Sequence, residues 1–273
     1  GSSAALPWMQ EIPDPVTKLS WNSWAEISMV KAEELGLTFG DVITVQTATG
    51  SVDVSVFPRG GIRDDVVAIP IGQGHTVGWY ASMEGDEESP QKGVARGVNV
   101  ADLLPAATDE AGGQAYVSTK ASVTKTGRFR RLALSQWTDN QRERGLAPEV
   151  SLYDLAKGGG MAHFAAAANA SEPEHAEAAE GDHAEGGHHF SGPPFEFDAG
   201  NDADPEQPYR WGMTIDNDKC TGCSSCIAAC YVENNVSIVG EKQAIRHREM
   251  TWLRVERYSG DGEVDFSDGS ERR

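Results

Sequence analysis

Cys220, Cys223, Cys226 and Cys230 are the only cysteines in the chain, and they read C-x2-C-x2-C-x3-C, as Cys220-Thr-Gly-Cys223-Ser-Ser-Cys226-Ile-Ala-Ala-Cys230. Thiolates at this spacing suit iron–sulfur clusters, because soft sulfur donates strongly to iron and neutralises its charge. The two-residue gaps let the chain curl around one cubane, with backbone N–H groups turned towards the cluster sulfurs. Gly222 fits such a curl, which often needs positive φ at one residue. The three-residue gap places Cys226 and Cys230 four apart at the head of a helix, so Cys230 lies one turn further on and faces a neighbouring site. One run of this kind normally supplies three ligands to one cluster and its fourth to another. A 4Fe–4S cluster is the leading reading, with 3Fe–4S also compatible. The chemistry is one-electron transfer, and no second run accompanies this one.

Other uses of four thiols match less well. A zinc site would draw on two separated C-x2-C pairs, and a thiol–disulfide site needs only one C-x-x-C. Four structural cysteines falling at these spacings by chance is remote.

The elements that must position the run belong to an acidic chain of 273 residues with net charge −19, which disfavours a nucleic-acid groove. That charge suits a self-repelling surface, or docking to a basic partner. A hydrophobic share of 39% and 30 glycines imply that part of the chain is linker. No stretch has the apolar length needed to span a bilayer, so a membrane link is expected through other subunits. Gly1-Ser2-Ser3 reads as a processed or cut end.

Upstream, the pattern predicts a small β-rich domain with one or two helices. Residues 41–49 (DVITVQTAT) and 51–57 (SVDVSVF) alternate apolar and polar side chains, as half-buried strands do, with Gly50 at a hairpin turn between them. Residues 28–36 read as a short helix capped by Ser28 and closed by Gly36. Further strands are expected over 66–70 (VVAIP) and 116–125 (YVSTKASVTK). Trp8, Trp21 and Trp24 are expected to pack the lead-in against a domain outside this chain.

From Gly158 to Gly200 the chain is rich in Ala, Glu, Gly and His, with no Lys or Arg between Lys157 and Arg210. Such a composition buries too little apolar surface to offset ordering and reads as an acidic, disordered linker. Its His175, His183, His188 and His189 lack the fixed spacing of a metal site. The last segment is expected to run as a strand over 209–216, the cysteine loop, a helix from Cys226 to Glu233, and a second strand over 250–258. Trp211 and Trp252 are expected to pack around a cluster and exclude water.

Two stretches resemble known families. The cysteine run with the following Tyr-Val-Glu-Asn-Asn (231–235) and Trp252-Leu-Arg-Val-Glu-Arg-Tyr258 resembles the start of the four-cluster ferredoxin subunits of molybdopterin oxidoreductases. Tyr231 stands where small ferredoxins carry proline, as in that subunit family. Residues 19–135 resemble the double-psi β-barrel that closes the catalytic subunits of the same superfamily. That resemblance is carried by 32–45 (AEELGLTFGDVITV), 49–56 (TGSVDVSV), 66–70 and the turn Gly72-Gln73-Gly74-His75. It implies that this turn would lie near a pterin dinucleotide.

Barrel first and ferredoxin second is the order of the B subunit of alternative complex III, a bacterial quinol-oxidising respiratory complex. The resemblance implies a lead-in over 1–18, a barrel over 19–137, a helix, loop and linker region over 138–206, and a partial ferredoxin-like α+β domain over 207–273. It implies a fold that has lost the molybdenum cofactor, partners that bind quinol in the membrane and carry haem c, and a place on the periplasmic face of the inner membrane. It further implies that Cys220, Cys223 and Cys226 hold one cubane and Cys230 serves another, and that the chain is an internal piece of a longer subunit. A true molybdopterin oxidoreductase with a fused electron-transfer module is the second reading. A structural docking barrel with an incomplete cluster site is the third.

Overall fold

Strand β4 (Ser51–Arg59) carries five consecutive buried residues in the computed structural model, because both of its faces are covered. The structure describes residues 2–85, 91–117, 119–141, 146–147, 152–156 and 215–258. Alternate side chains of β4 enter different clusters: Val54 and Val56 join Ala25, Ile27, Ile43 and Leu37, whereas Phe57 joins Leu19, Trp24, Phe39 and Leu134. This is the period-2 geometry of a strand buried on both sides.

β4 runs parallel to β2 (Trp24–Ser28), with Ala25 opposite Val56. It runs antiparallel to β3 (Asp41–Gln46), with Ile43 opposite Val54. β5 (Ser122–Phe129) extends the sheet beyond β3, giving the order β2-β4-β3-β5. Pro58 is tolerated because it falls where β4 has run past β3 and pairs with β2 alone. β1 (Leu19–Ser20) and β6 (Ala133–Leu134) form a separate two-stranded pair. Within the sheet the buried Glu26 carboxylate pairs with Arg59 and accepts the Trp24 indole N–H at 3.3 Å.

The β3–β4 hairpin closes as its sequence predicts, with the Thr47 N–H donating to Gly50 O at 2.8 Å. The helix α2 (Met29–Glu34) is capped by Ser28, whose Oγ accepts the Lys31 N–H at 3.0 Å, and Gly36 follows at φ +61°. Other expectations fail. Residues 66–70 make only the bridge of Ala68 with Glu26, because the chain crosses the edge of β2 there without running along it. The strand expected over 116–125 starts at Ser122; Tyr116 and Val117 are exposed, with no partner strand to bury them. Residues 250–258 form no strand, being held by side chains as described below. Trp21 and Trp24 are buried within this chain, at 2% and 6% exposure, and do not await an outside domain.

Contacts divide the chain into two units: Gly1–Ala147 with Thr221–Arg273, and Pro148–Cys220. In the first unit, α1 (Pro7–Glu11) precedes β1, and α4 (Ser225–Glu233) and α5 (Glu241–Ala244) follow the β-domain. The described part of the second unit holds α3 (Leu152–Ala156) and residues 215–220. The linker histidines and Trp211 lie outside the described residues, as does most of the strand expected over 209–216; its Ile215 and Asp216 are exposed coil. No described helix is long and apolar enough to cross a membrane.

Candidate functional site

The cysteine loop takes its shape from two left-handed residues before α4. Gly222 has φ +69° and Ser224 has φ +62°. A side chain at position 222 would meet only Pro15, at 3.6 Å, so conformation and not space calls for glycine there. Ser224 is buried and precedes the helix, with its Oγ donating to Gly222 O at 3.4 Å. The helix then turns Ile227 and Tyr231, each 3% exposed, towards the interior. The Tyr231 hydroxyl bonds the Thr251 hydroxyl at 2.9 Å, and burial pushes the phenol up from its ordinary value. α4 thereby seats on α1. The helix begins at Ser225, one residue before the expected start, and Cys226 and Cys230 lie one turn apart on it.

Cys223 and Cys226 are exposed and Cys230 is half-buried; none is in a disulfide. The Ser225 hydroxyl lies 3.2 Å from Cys223 Sγ and, with the Ser225 N–H and the Thr221 hydroxyl, pulls this thiol below its ordinary value. Asn234 Nδ2 donates to Cys230 Sγ at 3.5 Å and to Cys230 O at 3.1 Å. The donors at Cys223 favour its thiolate, the form that binds metal. Sequence reading passed over Thr221, Ser225 and Asn234; the available signal was a hydroxyl two residues either side of Cys223 and an amide four after Cys230. Cys220, in the second unit, is exposed and follows a turn in which its N–H donates to Asn217 O at 3.3 Å. Thiols suit an iron–sulfur group in donor type, and Cys223 and Cys230 are offered the hydrogen bonds to sulfur that such a group takes. Among the described residues no three Cys, His, Asp or Glu side chains are gathered on one point. Trp252 is 66% exposed, so it does not form a packed shield as expected.

The segment after the cysteines is fixed to the β-domain by polar contacts, part-buried at Glu11 and Glu241 and exposed at Gln136 and Trp137. Glu11, 2% exposed on α1, accepts the N–H groups of Val239 and Gly240, each at 3.0 Å to Oε2. Burial raises its carboxyl above the ordinary 4.5, against the pull of those two N–H groups. Glu241 accepts from Asn22 Nδ2 at 2.7 Å, pairs with Arg96, and pairs with Arg130 at 3.2 Å. The Gln136 amide exchanges bonds with Arg257, accepting its N–H at 2.9 Å and donating to its carbonyl. The Trp137 indole donates to His247 Nδ1 at 3.1 Å.

One cavity borders this junction, and a second lies between the lead-in and the β-domain. The first, of about 540 Å³, is lined by Trp79, Tyr80, Arg96, Arg130, Glu241 and Lys242 among others. Two of its cations, Arg96 and Arg130, are turned inward onto Glu241. The other, of about 260 Å³, is lined by Gln10, Trp21, Trp24, Gly72 and Gln73 among others. Gln73 donates to Gln10 Oε1 at 2.8 Å, but its own Oε1 is buried without a protein partner. A ring N–H donor, such as a pterin presents, fits that acceptor. Ligand pockets usually enclose roughly 300–1,000 Å³, so this space suits part of a pterin dinucleotide. Gly74 is held by its N–H to Arg96 O at 2.8 Å and packs so closely that a Cβ would lie 2.3 Å from Asn99 N.

Residues 11–121 match the family model of the molybdopterin dinucleotide binding domain. The chain is 61% identical over 28 residues to the iron–sulfur cluster-binding subunit of menaquinone reductase from Nitratidesulfovibrio vulgaris, covering 10% of this chain and 11% of that protein. It is 34% identical over 84 residues to the molybdopterin-containing subunit ArrA of arsenate respiratory reductase from Chrysiogenes arsenatis, covering 31% of this chain and 10% of that protein. The matched regions span about a tenth of each relative's length. The chain therefore combines a β-domain similar over residues 11–121 to molybdopterin dinucleotide binding domains with a short stretch similar to the iron–sulfur cluster-binding subunit of a menaquinone reductase.

Proposed function

We propose that this chain is the electron-transfer, iron–sulfur part of a membrane-associated quinol-oxidising respiratory complex of the alternative complex III type, passing electrons towards cytochrome c. The observation that carries the reading is a C-x2-C-x2-C-x3-C run, on a left-handed loop and short helix, in one chain with a β-domain of the molybdopterin type. Cys220, Cys223 and Cys226 would hold one 4Fe–4S cluster, or a 3Fe–4S cluster, and Cys230 would serve a second. The bound cluster supplies one-electron chemistry. The chain's own contribution is to place the thiolates, to donate hydrogen bonds from Ser225 and Asn234 to their sulfurs, and to hold the loop against α1.

In this reading the β-domain is a double-psi barrel that keeps the molybdopterin fold without the molybdenum. The partners are membrane quinol-binding and haem c subunits, on the periplasmic face of the inner membrane. Similarity to a menaquinone reductase iron–sulfur subunit supports a quinone-linked role. The second reading is an electron-transfer module fused to a true molybdopterin oxidoreductase acting on a sulfur or inorganic substrate. The similarity to an arsenate reductase subunit and the unpartnered Gln73 Oε1 favour it.

Metal analysis and electron paramagnetic resonance of the anaerobically purified protein decide between them. Iron and acid-labile sulfide without molybdenum, and a reduced-cluster signal lost in Cys226→Ser, support the first reading. Stoichiometric molybdenum with a pterin transfers the case to the second. Absence of iron after anaerobic reconstitution removes both and leaves a structural docking domain.

A further inference from the structure

Glu241 draws donors from three separate parts of the β-domain: Asn22 between β1 and β2, Arg96 in the long loop after β4, and Arg130 just after β5. Arg96 is itself buried, at 4% side-chain exposure, and donates to Tyr80 O at 3.2 Å while lying 5.1 Å above the Trp21 ring. Trp21 shares a cluster with Ala133 and Ala244, against which Ile238, Val239 and Ile245 pack. The loop that ends at Glu241 is joined to the cysteine helix, because the Val236 N–H donates to Tyr231 O at 3.0 Å. The same loop is held by Glu11, whose helix α1 carries α4. A loose tether would need none of this. Buried charges that bridge distant elements fix one arrangement at a cost in desolvation, and removing one partner leaves the others stranded.

We propose that Glu241 is a positioning residue that couples the cysteine loop to the β-domain, so that loading the cysteine site stabilises the β-domain core. The proposal rests on the iron–sulfur reading above. The physical reason is linkage: a ligand that binds only the folded state stabilises everything that unfolds together with its site. The Glu241 contacts place the cysteine helix and the β3–β4 core in one cooperative unit. By reciprocity, disturbing the core lowers the affinity of the cysteine site.

The test is amide hydrogen exchange on the full chain, before and after anaerobic reconstitution with iron and sulfide, with iron per chain measured on the same samples. In the wild type, the slowest amides of β3 and β4 should slow by at least about tenfold on loading, as expected for a ligand held ten times or more above its dissociation constant. In Glu241→Ala the iron content should be retained while most of that slowing is lost. Glu241→Gln, which keeps an acceptor for Asn22 but loses both ion pairs, should fall between. In the metal-free chain, Glu241→Ala should speed exchange over Ser225–Glu233 more than over β3. Arg63→Ala, which removes an exposed pair with Asp65, serves as the control and should change neither. Loaded wild type with unchanged core exchange overturns the proposal, as does full slowing in Glu241→Ala. Failure of the wild type to take up iron defeats the electron-transfer reading and the proposal with it. The iron assay distinguishes that outcome from a loss of coupling alone. Should Glu241→Ala not fold, the comparison of Glu241→Gln with wild type decides by the same criterion.

Discussion

Glu11 Oε2 accepts the Gly240 N–H at 3.0 Å, joining residues 229 positions apart in the chain. This bond sets the lead-in helix as the seat of the cysteine segment, and its chemistry makes a pH prediction. Burial raises the Glu11 carboxyl, so the folded protein binds a proton more readily than the unfolded chain. Stability from this group is therefore fully present below the ordinary value of 4.5 and falls as pH rises through the higher folded value. Glu11→Gln should flatten that decline, measured by denaturant unfolding from pH 4 upward. Glu11→Ala leaves two buried N–H groups without an acceptor and should cost about 1–3 kcal/mol. An unaltered pH profile in Glu11→Gln would show that the slope arises elsewhere.

Asp41 behaves in the opposite sense. Burial works to raise its carboxyl, but Lys125 Nζ at 2.9 Å, the Thr38 N–H at 2.8 Å and the Thr38 hydroxyl at 3.0 Å outweigh it and hold the group below its ordinary 3.8. The unfolded state binds the proton more readily, so this stability is present above 3.8 and is lost as pH falls through the lower folded value. Asp41→Asn should destabilise the protein at neutral pH and weaken its acid unfolding below about pH 4. Equal acid midpoints for variant and wild type would remove Asp41 from that account.

The core gives a size prediction. Ile27 is fully buried on β2, packed among Ala25, Ile43 and Val56. Ile27→Ala should cost about 2–5 kcal/mol, from lost transfer energy and the cavity left behind. On the same strand's end, Ser28→Ala removes the cap on the Lys31 N–H and should cost about 1 kcal/mol. Urea unfolding of both variants checks the order, and a larger loss from the cap than from the core would contradict it.

These elements differ in how far local sequence reveals them. The β3–β4 hairpin and α2 were legible because their signals are local: alternation, a glycine turn, a serine cap. The alternation also marks both strands as half-buried, whereas β4 is covered on both faces by β2's neighbours and the Phe39 cluster, which only the tertiary packing decides. Residues 66–70 and 250–258 carry strand-forming side chains without a neighbouring strand to pair with, and pairing is a non-local property. At the site, the thiols and the left-handed Gly222 follow from spacing, but Glu11, Asn22, Arg96 and Glu241 do not. Their partners lie far away in sequence, and buried ion pairs leave no periodic trace.

Gly222 tests the loop itself. Its φ of +69° is costly for residues with a Cβ, about 1–2 kcal/mol, whereas asparagine visits this region more readily. The nearest atom to an added Cβ, on Pro15, is at ordinary contact distance, so steric clash does not contribute. Gly222→Ala should therefore lower iron content after anaerobic reconstitution, and Gly222→Asn should lower it less. Gly222→Val should lower it most, since a β-branched residue is a severe outlier at positive φ. In the metal-free chain the unfolding midpoint should fall in the same order, by no more than this strain, because the loop lies in one cooperative unit with the β-domain. If iron content ranked by side-chain volume alone, with asparagine worse than alanine, crowding by the cluster and not backbone conformation would explain the glycine.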